Sequence, residues 1–342
     1  MANDSSPGVL RESVAIATGA MPPSLPMTLP TTVDDASTLA IDLGMRAPLP
    51  GDGATASLFA LLATLGAHDL GVARVIEPHL DAVAILTQAG KAQLVGSGTW
   101  GVFAAEGGDP LRLSGAGTLT GTKPWCSLAA TLDSALVTAT GDDGVRRLVA
   151  VDLRSPGIAV LPGTWHARGL AEIASGPVRF EDVDATPIGE PGWYLERPGF
   201  SWGGIGVAAC WHGGAVGLAR TVFSAAAAKP ADPYLVMHLG AIDEAIESSR
   251  RALAEAAGLI DRGKAEGNDG SVLAKRVRAT VARTCELVLD RAGHALGPAP
   301  LALDERHAKR AADLTVYVRQ HHAERDDASL GAKLLTAGAA PW

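Results

Sequence analysis

"LSGAGTLTGTKPWCSLAATLDSALVTA", residues 113–139, is the stretch on which the reading of the fold turns. Within it, Gly121 and Pro124 bracket Lys123, and Trp125 follows in a chain where aromatics are only 4% of residues. Cys126, Ser127 and a short alanine run come next. Two readings of Trp125 are open: it fills a sheet edge with Ser127 as a turn residue, or it covers something flat.

Outward from this stretch, β-type runs continue. "ALVTAT", "RRLVAVDL" and "GPVRFEDV" alternate with Gly, Asp and Pro turns, and "GDDG" at 141–144 has hairpin-loop composition. Residues 94–200 are therefore expected to form a central antiparallel β-barrel or sheet domain. On its N-terminal side, over 35–93, Leu58, Leu61, Leu62 and Leu65 recur at helical spacing, with Gly51, Gly53, Gly66 and Pro78 as breaks, which predicts a short helical domain. Residues 1–34, rich in Pro, Thr and Ser, read as an irregular arm.

Beyond residue 201 the helical period returns to the end of the chain. Four stripes stand out: Trp211, Ala215, Leu218, Val222; Leu235, Leu239, Ile242, Ile246; Val277, Val281, Thr284, Val288; and Ala311, Leu314, Val318, His321. They predict a C-terminal four-helix bundle over 201–342, its breaks at "AKPADP", "RGKAEGNDG" and "GPAPLALD". The whole is an α+β multidomain chain.

Composition narrows the partners. With 342 residues, 47% hydrophobic, the chain can bury a large core; a net charge of −8 disfavours nucleic acid and anionic lipid surfaces. Small molecules or other proteins are the expected partners. Three cysteines, Cys126, Cys210 and Cys285, lack metal-ligand spacing, so no metal site is expected and a cytoplasmic setting fits. The most apolar long segment, starting at Gly203, is interrupted by His212 and Arg220 and does not read as a membrane span.

The order of helices, β-domain and bundle, together with "FAAEGGDP", the quoted stretch and "SPGIAVLPGTWHARGLAEIASGPVRFEDVDAT", resembles the acyl-CoA dehydrogenase family over roughly residues 50 to 335. That resemblance implies an FAD held between β-domain and bundle. It makes Trp125 and Ser127 the counterpart of the family's Trp-x-Thr, an aromatic wall beside the flavin and a hydroxyl at its ring nitrogen. Ala105 stands where a flavin-bonding Thr is common, leaving backbone to make that contact. Glu106 is expected on the substrate side, with a surface turn acid as the plain alternative. Lys229 stands in for the family's pyrophosphate-binding Arg segment, as a point charge without the bidentate fork.

The family's base, a Glu followed by Gly-Thr, is absent. Eight positions after Asp313 in "KRAADLTVYVRQHHAERD" comes His321, whose ordinary pKa of about 6.5 suits proton transfer. A solvated histidine pair at a helix end is the plain alternative. The implied activity is α,β-dehydrogenation of an acyl-CoA thioester, with electrons passed to an electron-transfer flavoprotein, in a homodimer or homotetramer. The alternatives are a flavin-dependent monooxygenase or oxidase of the same fold, and a non-catalytic binding or scaffold subunit.

Overall fold

The computed structural model describes residues 25–26, 28–336, 338 and 340; most of the arm expected over 1–34 lies outside the described residues. The Thr32 hydroxyl accepts from Asp35 N and starts α1 (Val33–Arg46), which is followed by α2 (Thr55–His68) and α3 (Leu70–Gln88). Asp69 caps α3 by accepting from Val72 N. Two expected breaks fall inside helices instead. Pro78 lies within α3, whose buried face makes up for the missing N–H, and Gly66 lies within α2. A side chain at Gly66 would meet the Cys210 carbonyl oxygen, so this glycine serves close helix packing.

An eight-stranded sheet follows: β1 (Trp100–Phe103), β2 (Arg112–Leu113), β3 (Thr118–Lys123), β4 (Ser134–Gly141), β5 (Arg146–Asp152), β6 (Ile158–Val160), β7 (Val178–Asp184) and β8 (Thr186–Ile188). Its order is β6-β7-β3-β2-β4-β5-β8, with β1 on β4. The sheet is mixed rather than purely antiparallel. β1 and β2 run parallel to β4, with Trp100 opposite Ser134 and Arg112 opposite Thr140. Parallel neighbours need a long crossover, and residues 104–133, holding the β2–β3 hairpin and the Trp125 loop, supply it.

The chain then passes through α4 (Trp193–Glu196) into α5 (Pro198–Ala228), α6 (Pro233–Asp261) and α7 (Gly267–Leu296), and on to α8 (Pro298–Leu303), α9 (Glu305–Tyr317) and α10 (Glu324–Thr336). Asp232 caps α6 with Pro233 at its first position, and Asp304 caps α9. α5 packs against α2, α6 and α7 together. Its small residues allow this: Gly213 lies against the Ala63 carbonyl of α2, and Trp211, Ala215, Leu218 and Val222 are all buried. The apolar segment from Gly203 is thus the central helix of the fold. Among the described residues, no helix is long and apolar enough to cross a membrane.

Helices, sheet and bundle are tied at one point. The Asp313 carboxylate, almost fully buried, accepts from Leu170 N at 2.6 Å and from Lys309 Nζ at 2.7 Å. Lys309 also reaches Asp69 at 3.0 Å and Glu172 at 2.8 Å. Burial works against its charge, but the hydrogen bonds to Asp313 and Glu172 and the charge of Asp69 outweigh it and hold its pKa above the ordinary lysine value. Removing the cation leaves three carboxylates facing one another. Lys309→Met is expected to lower stability by about 1–3 kcal/mol, below the range for a fully buried pair because Lys309 is partly exposed. Urea unfolding checks this, with Lys309→Arg expected to restore most of the loss.

Candidate functional site

The Trp125 loop is held in an unusual backbone shape. Trp125 has φ +58° and Leu128 φ +59°, a region that costs a non-glycine residue energy unless its surroundings enforce it. Here Cys126 N donates to Gly176 O and Leu128 N to Ala174 O, pinning the loop to residues 174–176. The outcome is that Trp125 stands 60% exposed on a fixed backbone.

Ser127 turns inward. Its hydroxyl lies 2.8 Å from Ser175 Oγ and accepts from Arg74 Nη2 at 3.0 Å. Ser175 gives its own proton to Ile173 O, so the Ser127 proton goes to Ser175. Ser127 is therefore an acceptor of the largely buried Arg74 guanidinium and has no free proton of its own.

Glu106 has its partners within the β-domain. Lys123 Nζ, buried, donates to Glu106 Oε1 at 3.0 Å and to Thr138 Oγ1 at 2.7 Å, and Arg146 Nε lies 3.5 Å from the same carboxylate oxygen. Burial pulls the Lys123 pKa down, against the pull of Glu106. Glu106 is thus the counter-ion of a buried lysine, an account that needs no substrate. Ala105 is exposed beside it. Lys229 follows the last residue of α5, exposed, while the other end of that helix begins at Pro198. At 1.5 Å per residue the two ends are about 45 Å apart.

Behind Ser127 lies a buried polar cluster. Arg74 lies over the Tyr317 ring, 5.9 Å from its centroid; Tyr317 meets Trp211 edge to face; and Arg278 stacks over Trp211 at 4.7 Å. Glu77, one turn along α3 from Arg74, is 7% exposed and only 4.0 Å from Arg74 Nη1. Burial raises its carboxyl to about 7, and Asp81 adds to the rise against Arg74 and Arg278. Arg74, Glu77 and Arg278 were not among the residues expected from the sequence. The available signal was three charges, Arg74, Glu77 and Asp81, on the face of an otherwise apolar α3.

His321 is buried, as expected, but not on a helix. α9 ends at Tyr317, a 3-10 turn spans Val318–Gln320, and His321 is extended at φ −85° and ψ 119°. Arg278 causes the break to hold: it donates to Gly204 O at 2.6 Å and to Gln320 O at 2.9 Å, tying the turn to α5. His321 Nε2 lies 3.9 Å from Asp326 Oδ2, and burial lowers the pKa of the imidazole. His322, exposed, donates its backbone N–H to the same carboxylate at 3.0 Å. His321 and Asp326 open onto a cavity of about 690 Å³ that also takes in Tyr194, Arg197, Phe200 and Arg278. Among the described residues no direct contact joins His321 to Ser127; Arg278, Trp211, Tyr317 and Arg74 lie between them.

Asp69, Glu172 and Asp313 also lie close enough to share a cation, and Lys309 supplies one. The three cysteines are free and buried; burial pushes the Cys126 thiol up to about 12.

No protein-family model matches the chain, and no curated protein sequence does. Solved structures do. FMN-bound TdsC from Paenibacillus sp. A11-2 is 16% identical with a TM-score of 0.72, over 83% of this chain and 84% of that one. KijD3 in complex with FMN and a dTDP-linked amino keto sugar is 17% identical with a TM-score of 0.75, over 96% and 90%. Butyryl-CoA dehydrogenase from Megasphaera elsdenii is 18% identical with a TM-score of 0.73, over 91% and 100%. At such identities the likeness establishes architecture: N-terminal helices, a central curled mixed sheet and C-terminal helices make this a chain of the acyl-CoA dehydrogenase fold.

Proposed function

We propose that this protein is a flavin-dependent oxidoreductase that works with reduced flavin and molecular oxygen, with His321 as its proton acceptor and donor. The observation that carries this reading is the buried imidazole beside Asp326, at the edge of a cavity of about 690 Å³; the sequence resemblance gives this residue the position of the dehydrogenases' catalytic Glu. Burial keeps the imidazole neutral and so available as a proton acceptor, and the neighbouring carboxylate offsets part of the cost of the imidazolium that results. Burial disfavours the charge of Asp326, yet the His322 N–H and the adjacent imidazoles outweigh this and keep it ionised.

The residues suit the ring end of a flavin. Trp125 offers an uncovered aromatic face on a pinned backbone, and two residues on Ser127 accepts a hydrogen bond from Arg74. A bound flavin would supply two-electron chemistry, taking hydride when oxidised and reacting with oxygen when reduced. The opposite end suits FAD less well, since Lys229, in place of the family's Arg segment, lacks the guanidinium fork. We therefore favour FMN, which has no pyrophosphate bridge to hold; TdsC and KijD3, of the same fold, are FMN complexes. Acyl-CoA thioesters and an electron-transfer flavoprotein drop to the second choice.

Loading the protein with FMN and with FAD, then measuring oxygen consumption by the reduced form and anaerobic bleaching by an acyl-CoA panel, tests the proposal. Bleaching by a thioester with slow reoxidation would overturn it. Trp125→Ala is expected to weaken flavin binding roughly five- to tenfold, the equivalent of about 1 kcal/mol or more of aromatic contact. Arg74→Gln is expected to slow flavin reoxidation or reduction more than Ser127→Ala does, because the serine proton is already given to Ser175.

His321→Ala is expected to lower turnover about 100-fold or more, and His322→Ala by no more than about threefold. The acid limb of the pH–rate profile should lie below the ordinary histidine value of about 6.5, since His321 must be neutral to accept a proton. Asp326→Asn removes the charge that favours imidazolium and should move that limb lower still. Equal effects of the two histidine variants would refute the assignment.

A further inference from the structure

We propose that the cavity beside His321 binds a small aromatic or aliphatic monocarboxylate, its carboxylate held between Lys275 and Lys333 and its apolar body running toward the imidazole. The cavity, about 690 Å³, lies between the start of α5, the first half of α7 and the chain from Gln320 into α10. That is room for a drug-sized molecule. On α7, Asn268, Ser271, Lys275 and Arg278 line it at helical spacing, so they share one face of that helix. Lys333 comes to the same face from α10, its Nζ reaching Asn268 Oδ1 at 3.4 Å.

Four cations and three carboxylates border this space, Arg197, Lys275, Arg278 and Lys333 against Asp81, Glu196 and Asp326; four less three leaves one positive charge uncompensated. The commitments of these groups place that charge. Arg197 donates to Gln88 at 2.6 Å and lies 3.9 Å from Asp81, and Arg278 holds the Gly204 and Gln320 carbonyls. Asp326 lies 3.9 Å from His321 Nε2 and 3.7 Å from His322 Nδ1. Glu196 belongs to α4 and is exposed to solvent. Among the described residues Lys275 donates no hydrogen bond and closes no ion pair; its charge is felt only at longer range, by Asp326. The contact of Lys333 with the Asn268 amide is long and neutral. Two ammonium groups without an anion suit one carboxylate, with the Ser271 hydroxyl and the Asn268 amide as further donors. A phosphate dianion would exceed the uncompensated charge.

The rest of the wall suits an apolar body. Phe200 and Leu195 are large apolar side chains left uncovered at the cavity, and Val207 and Ala274 also line it. His321 is 8% exposed, and its Nε2 has no hydrogen-bond partner there. From Ser271 to Arg278, whose guanidinium holds the turn leading into His321, α7 rises about 10 Å, so the imidazole lies about that far from the carboxylate. Two linked aromatic rings span such a length. Naming this ligand the substrate rests on the oxidoreductase reading; its binding does not.

Full-length protein without flavin is titrated calorimetrically with biphenyl-4-carboxylate and with its neutral counterpart, biphenyl-4-carboxamide. The carboxylate is expected to bind about tenfold more tightly at low salt, and this preference to shrink to about threefold or less in about 0.5 M salt. Lys275→Gln and Lys333→Gln are each expected to lower carboxylate affinity about three- to fivefold and to leave that of the carboxamide unchanged, with Lys275→Arg retaining both. Phe200→Ala should weaken the two probes alike. Arg276→Gln removes an exposed cation of the same helix that does not line the cavity, and should change neither. Equal affinity of the wild-type protein for the two probes, a preference indifferent to salt, or a loss with Arg276→Gln as large as with the lysine variants would each overturn the inference. The wild-type titrations decide it even if a variant fails to fold. Oxygen consumption by the reduced, flavin-loaded protein is then followed with the carboxylate present; binding without any change in that rate would tell against the oxidoreductase reading and leave the binding site standing.

Discussion

The Asp313 carboxylate is the point at which the three parts of the chain are held in register. It is almost wholly buried, accepts from the backbone of the β-domain at Leu170, and is neutralised by Lys309, one turn away on α9. Leu170 sits at φ +50°, and a side chain at Gly169 would run into the Ala312 carbonyl, so the turn is shaped to lie directly on α9. Lys309 then reaches Asp69 at the α2–α3 junction and Glu172 in the same β-domain loop. A buried carboxylate is tolerated only when paired and hydrogen-bonded, so the alternative arrangements of α9 are disfavoured by an uncompensated charge.

The position of the buried polar cluster follows from that restraint. With α9 fixed, Tyr317 at its end falls between Trp211 and Arg74, and the chain leaves the helix just before His321. Arg278 then supplies what the helix end lacks. It satisfies a carbonyl of the terminal turn and one of α5 while its planar group stacks on Trp211, a task that the compact ammonium of lysine would not perform. The same arrangement leaves Glu77 enclosed with Arg74 Nη1 at 4.0 Å as its ion-pair partner, while Arg278 is committed to backbone carbonyls. Buried polar groups that are only partly satisfied are costly, and they concentrate where ligands bind.

Much of the architecture was legible in the sequence. Helical period, β-alternation and the Gly, Pro and Asp breaks act over a few residues, so "RRLVAVDL" and the stripe at Val277, Val281, Thr284 and Val288 report their own structure. His321 is buried, but the helical stripe that suggested this ends at Tyr317, so its burial comes from the turn that Arg278 holds. Pro78 and Gly66 misled as breaks because burial overrides local preference, and the mixed sheet could not be read because strand direction is set by a crossover rather than by any strand's residues.

What the sequence by itself determined is which segments are helix, strand and turn; what only the tertiary structure decided is which groups meet. Arg74 and Glu77 come from α3, Arg278 from α7 and Ser127 from the β3–β4 loop, up to some 200 positions apart in the chain (278 less 74 is 204). Their hydrogen bonds and the exclusion of water around them arise only when these elements pack. The raised pKa of Glu77, the engagement of Ser127 by Arg74, and the pairing of His321 with Asp326 are therefore properties of packing, since desolvation and hydrogen-bond partners depend on distance in space rather than separation along the chain.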